Sequence, residues 1–97
     1  MNNNGFISDF EGIRPHINNG VYVDVSSRVI GNVILDEGSS IWPMAVLRAD
    51  SAHIHVGRHA AILDFAFVES PEGFPVNIGE EALISHGAMV HGAIIES

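Results

Sequence analysis

The sequence predicts an all-β protein, a parallel β-helix built from hexapeptide repeats with about four coils. A large aliphatic residue recurs every six positions, and the residue two places before it is mostly small or β-branched. This period fits neither the 3.6 residues of a helix nor a sustained alternation of strand residues. One aliphatic anchor per six residues is typical of a β-helix in which three hexapeptides form one coil.

The anchors run through most of the chain in three phases, and every one is Val, Ile or Leu. They are Val23, Val29, Leu35, Ile41 and Leu47, then Val56, Ile62 and Val68, and then Ile78, Ile84 and Val90. The phase shifts by three residues after the fifth anchor and shifts again at the loop "SPEGFP". We expect the anchors to stack inside the coils, which lie about 4.8 Å apart, while the small residues fill the corners.

The organisation that follows is an N-terminal segment, residues 1–20, leading into one β-helix domain, residues 21–97. A small β-sandwich with alternating strands is the alternative fold. It is disfavoured because strand alternation alone would not hold a six-residue phase over so many units.

The composition excludes several classes of partner. The net charge is −8, with four arginines and no lysine, which argues against nucleic acid and against anionic membrane surfaces. The absence of cysteine removes disulfide and thiolate chemistry. The first residues, "MNNNGFISDFEG", lack the basic region and apolar run of a signal peptide, and no apolar run is long enough to span a membrane. We therefore expect a soluble, cytoplasmic protein.

Three stretches resemble the γ-class carbonic anhydrases and their relatives among the left-handed β-helix proteins. They are "IRPHINNGVYV" (13–23), "VIGNVILDEGSSIWPMAVLRAD" (29–50) and "ILDFAFVESPEGFPVNIGEEALISHGAMVHGA" (62–93). The resemblance implies a left-handed β-helix that forms a homotrimer. It also implies zinc or iron(II) bound by three histidines at each interface, two from one subunit and one from the next. Such an ion activates water for attack on carbon dioxide, a small-molecule substrate.

Two of the three family ligands match His86 and His91, whereas the third falls at Glu69. Glu69 and His91 each directly follow an anchor and are 22 positions apart, which is one coil of 18 plus a four-residue excess in "SPEGFP". The count predicts that Glu69 lies beside His91 on one face. His86 belongs to the preceding face, so the two imidazoles can share a metal only between subunits. Two histidines and a carboxylate form a known ligand set, although Glu69 as a metal-free surface carboxylate is equally open.

Other matches concern the surroundings of the metal. Arg48 and Asp50, in "LRAD", match the family's interface arginine and aspartate, and Asp64 matches an aspartate that joins this network. Leu63 stands where the family has a glutamine that orients the activated water, and Phe65 stands where a glycine is usual. These two departures favour an alternative function, an inactive β-helix assembly or metal-binding module.

A hexapeptide acyltransferase is the third alternative. It would need a basic groove for the phosphates of a thioester cofactor, which four arginines and no lysine disfavour. Whichever function holds, a β-helix end exposes unpaired backbone and its aliphatic ladder. Because the family pattern continues past Ser97, we expect the last coil, near Ile94 and Ile95, to be covered by another chain or by further residues.

Overall fold

The computed structural model describes residues 6–97, which form a β-solenoid of about four turns with no α-helix among them. No helix within residues 6–97 is long and apolar enough to cross a membrane. The strands are β1 (Ile7–Ser8), β2 (His16–Ile17), β3 (Tyr22–Val23), β4 (Arg28–Leu35), β5 (Ser40–Ile41), β6 (Val46–Val56), β7 (Ala61–Ile62), β8 (Phe67–Glu69), β9 (Val76–Ile78), β10 (Leu83–Ile84), β11 (Met89–His91) and β12 (Ile94–Ile95).

These strands form three faces, and every pair of strands is parallel. The β7/β10 face contains β3, β5, β7 and β10. The β8/β11 face contains β1, the first halves of β4 and β6, and then β8 and β11. The β9/β12 face contains β2, the second halves of β4 and β6, and then β9 and β12. The long strands β4 and β6 therefore pass from one face to the next.

The strand register confirms the repeat read from the sequence. Val29 lies opposite Leu47, which is 18 positions later. Gly31 pairs with Ala49 but Val33 pairs with Ile54, so three extra residues of β6 are accommodated between these two pairs. This irregularity accounts for the first phase shift, because the three extra residues displace every later anchor by three positions in the sequence.

All the anchors are buried, as the sequence predicts. Their exposure ranges from 0% in the middle coils to 8% at Val90. The repeat also extends one unit towards the N-terminus, because Ile17 pairs with Leu35 and packs against the core. Corner positions hold small residues whose polar atoms are satisfied, since the buried Ser27 and Ser39 donate hydrogen bonds to backbone carbonyls at 2.7 and 2.8 Å. The core is thus an aliphatic ladder closed by small corner residues.

Non-glycine residues adopt left-handed backbone at two corners of the prism, and His59 and Glu81 do so at the corner that leads into the β7/β10 face. The corner between the β7/β10 and β8/β11 faces is the one near the candidate site. Met44, Phe65 and Gly87 occupy it with φ values of 67°, 65° and 70°. Glycine adopts this left-handed conformation readily, whereas other residues lose about 1–2 kcal/mol in it. Met44 and Phe65 nevertheless stand there with their side chains exposed. The same corner carries Asp64 and His86, so the strained positions surround part of the candidate site.

Candidate metal centre

Glu69 and His91 end neighbouring strands on the β8/β11 face. The parallel register places them directly opposite each other, as the repeat count predicts. Each follows a buried anchor, so its side chain points outward in the alternation of the strand. Nδ1 of His91 lies 3.4 Å from Oε1 of Glu69. These two side chains are therefore neighbours within one chain.

Their separation fits a shared divalent ion. Tetrahedral zinc has bonds of about 2.0–2.1 Å to nitrogen and oxygen, and two ligands of such an ion lie roughly 3.3 Å apart. The observed 3.4 Å between His91 Nδ1 and Glu69 Oε1 is close to this edge length. This distance alone is therefore compatible with two ligands of one metal ion.

Arg48 holds the other carboxylate oxygen of Glu69. Its Nη2 donates a hydrogen bond of 2.6 Å to Oε2. Its Nε lies 3.1 Å from Oδ1 of Asp50, although without hydrogen-bond geometry. The ring of Phe67 lies 5.4 Å from the guanidinium carbon. The hydrogen bond from Arg48 is the main cause that lowers the pKa of Glu69, and the same bond raises the pKa of Arg48. Glu69 is therefore anionic over a wider pH range than an isolated glutamate.

His86 lies elsewhere, in the turn that follows β10 at the corner between the β7/β10 and β8/β11 faces. Its Nε2 is 3.7 Å from Oδ1 of Asp64, and its side chain is 68% exposed. The backbone of this turn is fixed by a hydrogen bond of 2.9 Å from Gly87 N to the carbonyl of Asp64. Asp64, matched by the sequence to the network of Arg48 and Asp50, thus pairs with His86 within a single chain.

Two of the residues that depart from the family pattern, Leu63 and Phe65, lie on this corner. Leu63 immediately precedes Asp64 and has no polar side-chain atom with which to orient water. Phe65 follows Asp64, and its side chain is 66% exposed. The immediate chain neighbours of Asp64 are therefore apolar on both sides.

Two further histidines lie on β6, at the β9/β12 face. His55 Nε2 is 2.7 Å from Oδ2 of Asp36, and His53 Nε2 is 3.1 Å from Oδ1 of Asn77. Each imidazole thus has its own oxygen partner. Across the part of the chain that the structure describes, no three or more His, Cys, Asp or Glu side chains form a group that could hold a metal ion.

The contact between Arg48 and Glu69 was not foreseen from the sequence, although the signal was present. The two residues are 21 positions apart, which is one 18-residue coil plus the three-residue phase shift. Both follow an anchor directly, Leu47 and Val68. The count that placed Glu69 beside His91 therefore also places Arg48 on its other side.

Comparisons with known proteins agree with this architecture. A probable carbonic anhydrase of Methanocaldococcus jannaschii is 35% identical over 80 residues, which cover 82% of this chain and 50% of that protein. The mitochondrial gamma carbonic anhydrase 2 of Arabidopsis thaliana is 36% identical over 88 residues, which cover 84% of this chain and 32% of that protein. The crystal structure of a hexapeptide transferase family protein from Anaplasma phagocytophilum superposes with a TM-score of 0.86 at 27% identity, covering 91% of this chain and 51% of that one. The chain matches no protein-family model.

The fold and these relatives define a hexapeptide-repeat β-helix protein. Its sequence resembles the γ-carbonic anhydrases of that class. It spans about half the length of the archaeal relative and about a third of the plant relative.

Proposed function

We propose that the chain forms a homotrimer that binds a divalent metal ion, zinc or iron(II), at each subunit interface. His91 and Glu69 of one subunit and His86 of the next are the proposed ligands. The observation that carries this proposal is the 3.4 Å separation of His91 Nδ1 and Glu69 Oε1. It supports a shared ion because two ligands of tetrahedral zinc lie at nearly that distance.

The position of His86 supports an interface rather than a site within one chain. His86 lies in a corner turn and pairs with Asp64, whereas His91 lies on a strand of the next face and pairs with Glu69. An imidazole that projects from a corner with 68% of its side chain exposed can approach a second subunit. The carboxylate of Asp64 is placed to orient that imidazole, as carboxylates beside metal-bound histidines commonly do.

Exposed apolar side chains near this corner support the same assembly. Met44, Phe65 and Met89 are 50%, 66% and 75% exposed. Met44 and Phe65 keep these side chains in a backbone conformation that favours glycine. Exposed apolar groups close to one another are typical of a surface that contacts another protein. Burial of this corner against a neighbouring subunit would bring the exposed His86 to the proposed site.

The reaction we propose for this site is the hydration of carbon dioxide to bicarbonate. A bound zinc or iron(II) ion supplies Lewis acidity that activates water at neutral pH. Glu69 brings a negative charge to the site, and Arg48 keeps it ionised and in place.

A second candidate function is an assembly or metal-binding module without hydration activity. Leu63 favours it, because its side chain cannot donate or accept a hydrogen bond and so cannot orient water beside Asp64. In this case the metal site and the trimer would remain, and the hydration of carbon dioxide would not. The cytoplasmic location stays a prediction from the sequence.

The test is the metal content of protein purified without chelator and without a nickel column. The parent should contain about one zinc or iron ion per chain, since a trimer has one interface for each chain. The variant His91→Ala should lose it. The control His53→Ala, altered on the β9/β12 face, should retain it. No metal in the parent but binding by Glu69→His would contradict the proposed ligand role of Glu69.

Metal-loaded parent protein is then assayed for hydration of carbon dioxide with a pH indicator, beside His91→Ala. Catalysis that requires His91 supports the enzyme. A metal-loaded trimer with no hydration above the uncatalysed rate would favour the assembly module instead.

A further inference from the structure

We propose that Arg48 is a positioning residue that makes Glu69 a one-oxygen metal ligand and thereby selects for small four-coordinate ions such as Zn²⁺. This inference rests on the proposed metal site. It concerns a role of Arg48 within its own chain, which is to position Glu69, the residue that stands where the family has a histidine ligand. Arg48 itself need not touch the ion.

Arg48 is held on three sides before any ion binds. Nη2 donates to Glu69 at 2.6 Å, Nε lies 3.1 Å from Asp50, and the guanidinium lies 5.4 Å from the ring of Phe67. The three partners lie on β6 and β8, which are paired at Arg48 and Glu69. A carboxylate and an aromatic ring both attract a guanidinium, and strand pairing fixes their positions. The Arg48 side chain is 43% exposed, and these contacts hold its guanidinium beside Glu69.

The hydrogen bond from Arg48 makes the two carboxylate oxygens of Glu69 inequivalent. Oε2 accepts the hydrogen bond of Arg48, while Oε1 faces His91 at 3.4 Å. The Glu69 side chain is only 17% exposed, compared with 62% for His91, so it has little room to rotate. A metal ion beside His91 therefore meets Oε1 first, while the hydrogen bond from Arg48 competes with it for Oε2.

A one-oxygen carboxylate influences which ion the site prefers. Zinc sites commonly have four ligands, whereas Ca²⁺ takes six to eight oxygen ligands and often uses both oxygens of one carboxylate. Mn²⁺ likewise favours six oxygen-rich positions. With Oε2 occupied by Arg48, the site offers fewer oxygens than these ions require. Its geometry therefore favours Zn²⁺, or Co²⁺ as a spectroscopic substitute, over Mn²⁺.

Lysine cannot replace Arg48 in full. The planar guanidinium contacts Glu69 through Nη2 while Nε lies 3.1 Å from Asp50 as an ion pair, and its central carbon lies 5.4 Å from the ring of Phe67. A lysine ammonium is a compact charge on a flexible stem and cannot keep these three contacts together. We therefore expect Arg48→Lys to preserve charge and some affinity but to lose the restriction on Glu69.

The experiment titrates Co²⁺ and Mn²⁺ into the parent, Arg48→Ala, Arg48→Lys and the control Arg58→Ala. Arg58 is matched because it also pairs with a glutamate of the next coil, Glu80 at 3.3 Å, but at an exposed corner. Affinity is measured by calorimetry, and the coordination of Co²⁺ by its visible absorption, which is intense for four ligands and weak for six. Trimer formation and circular dichroism are recorded for every variant.

We expect Arg48→Ala to bind Co²⁺ about 10–100-fold more weakly, the usual effect of losing a residue that orients a metal ligand. Its absorption should weaken towards that of a six-coordinate ion, and its preference for Co²⁺ over Mn²⁺ should fall. Arg48→Lys should regain part of the affinity without regaining the absorption. Arg58→Ala should match the parent in all three measurements.

The outcomes separate this inference from the proposed function. Folded Arg48→Ala and Arg48→Lys with the affinity and absorption of the parent would overturn the role of Arg48 and leave the metal site standing. A parent trimer that binds no Co²⁺ would overturn the metal site and with it the role of Arg48. If Arg48→Ala does not fold, Arg48→Lys decides alone, and a spectrum unchanged from the parent refutes the inference.

Discussion

The aliphatic ladder makes a quantitative prediction at Leu47. This residue is 0% exposed and lies between Val29 and Val68, its partners in the preceding and following coils. Leu→Ala substitutions in packed cores cost about 3–5 kcal/mol when the surroundings cannot collapse into the cavity. Here strand hydrogen bonds on both sides hold the coils at a fixed spacing, so collapse is restricted. We expect Leu47→Ala to lower the free energy of unfolding by about 3 kcal/mol.

That loss corresponds to a large fall in thermal stability. For a domain of this size, 1 kcal/mol shifts Tm by about 4–8 °C, so Leu47→Ala should melt about 12–24 °C below the parent. The control is Leu83→Ala, which removes the same atoms from a side chain that is 61% exposed on β10. Urea unfolding is measured for both variants at one protein concentration. A cost below about 1 kcal/mol for Leu47→Ala, or equal costs for the two variants, would refute the ladder as the source of stability.

Three further predictions concern the corners and the surface. Gly57→Ala should destabilise the protein by more than Gly73→Ala, because a Cβ at Gly57 would lie 2.8 Å from backbone atoms of the next coil. A Cβ at Gly73 meets nothing within 4 Å and adds only the backbone strain of a φ of 82°, about 1–2 kcal/mol; equal melting temperatures would contradict this. Ser27→Ala should cost about 0.5–1.5 kcal/mol in urea unfolding, because it removes one of the two hydrogen bonds that the Trp42 carbonyl accepts, the other coming from the backbone N–H of Ala45, and a neutral result would count against that contact. Hydrogen bonding, first from Tyr22, lowers the pKa of Asp24 below its ordinary value of 3.8. The resulting stability is complete above pH 3.8 and is lost as the pH falls further, so the advantage of the parent over Tyr22→Phe should shrink on acidification. The same contact raises the pKa of Tyr22 above its ordinary value of 10.0, so the advantage should also shrink when the pH rises far enough to ionise Tyr22, and it should be constant between these two limits.

Much of this architecture could be predicted because a solenoid repeats itself. Each anchor occupies the same position in its hexapeptide, so one count fixes which residues are inside and which strands are neighbours. The count extends to Ile17, one unit before the first anchor used, because that residue obeys the same spacing. The N-terminal boundary at residue 20 stays a prediction, and the first five residues of that segment lie outside the described part of the chain.

The side-chain partners at the candidate centre were harder to predict. Register places Arg48, Glu69 and His91 in one row, but it does not reveal which carboxylate oxygen accepts from Arg48. That choice depends on Asp50 and Phe67, which hold the guanidinium from other positions. The pairing of His86 with Asp64 depends on the shape of a turn, where the six-residue period carries little information. The repeat therefore predicts which residues are stacked beside one another on a face, while the local geometry determines which of their side-chain atoms are in contact.

The central claim is that His91 and Glu69 of one subunit share a metal with His86 of another. The most direct measurement mixes the variants His86→Ala and His91→Ala at equal amounts, dissociates and reassembles the trimers, and determines bound zinc per chain. Each variant alone should bind none. Random mixed trimers should regain about one quarter of the parent's zinc, because one interface in four then combines an intact His91 with an intact His86 of its neighbour. Zinc retained by His86→Ala alone, or no zinc regained after mixing, would contradict the shared site.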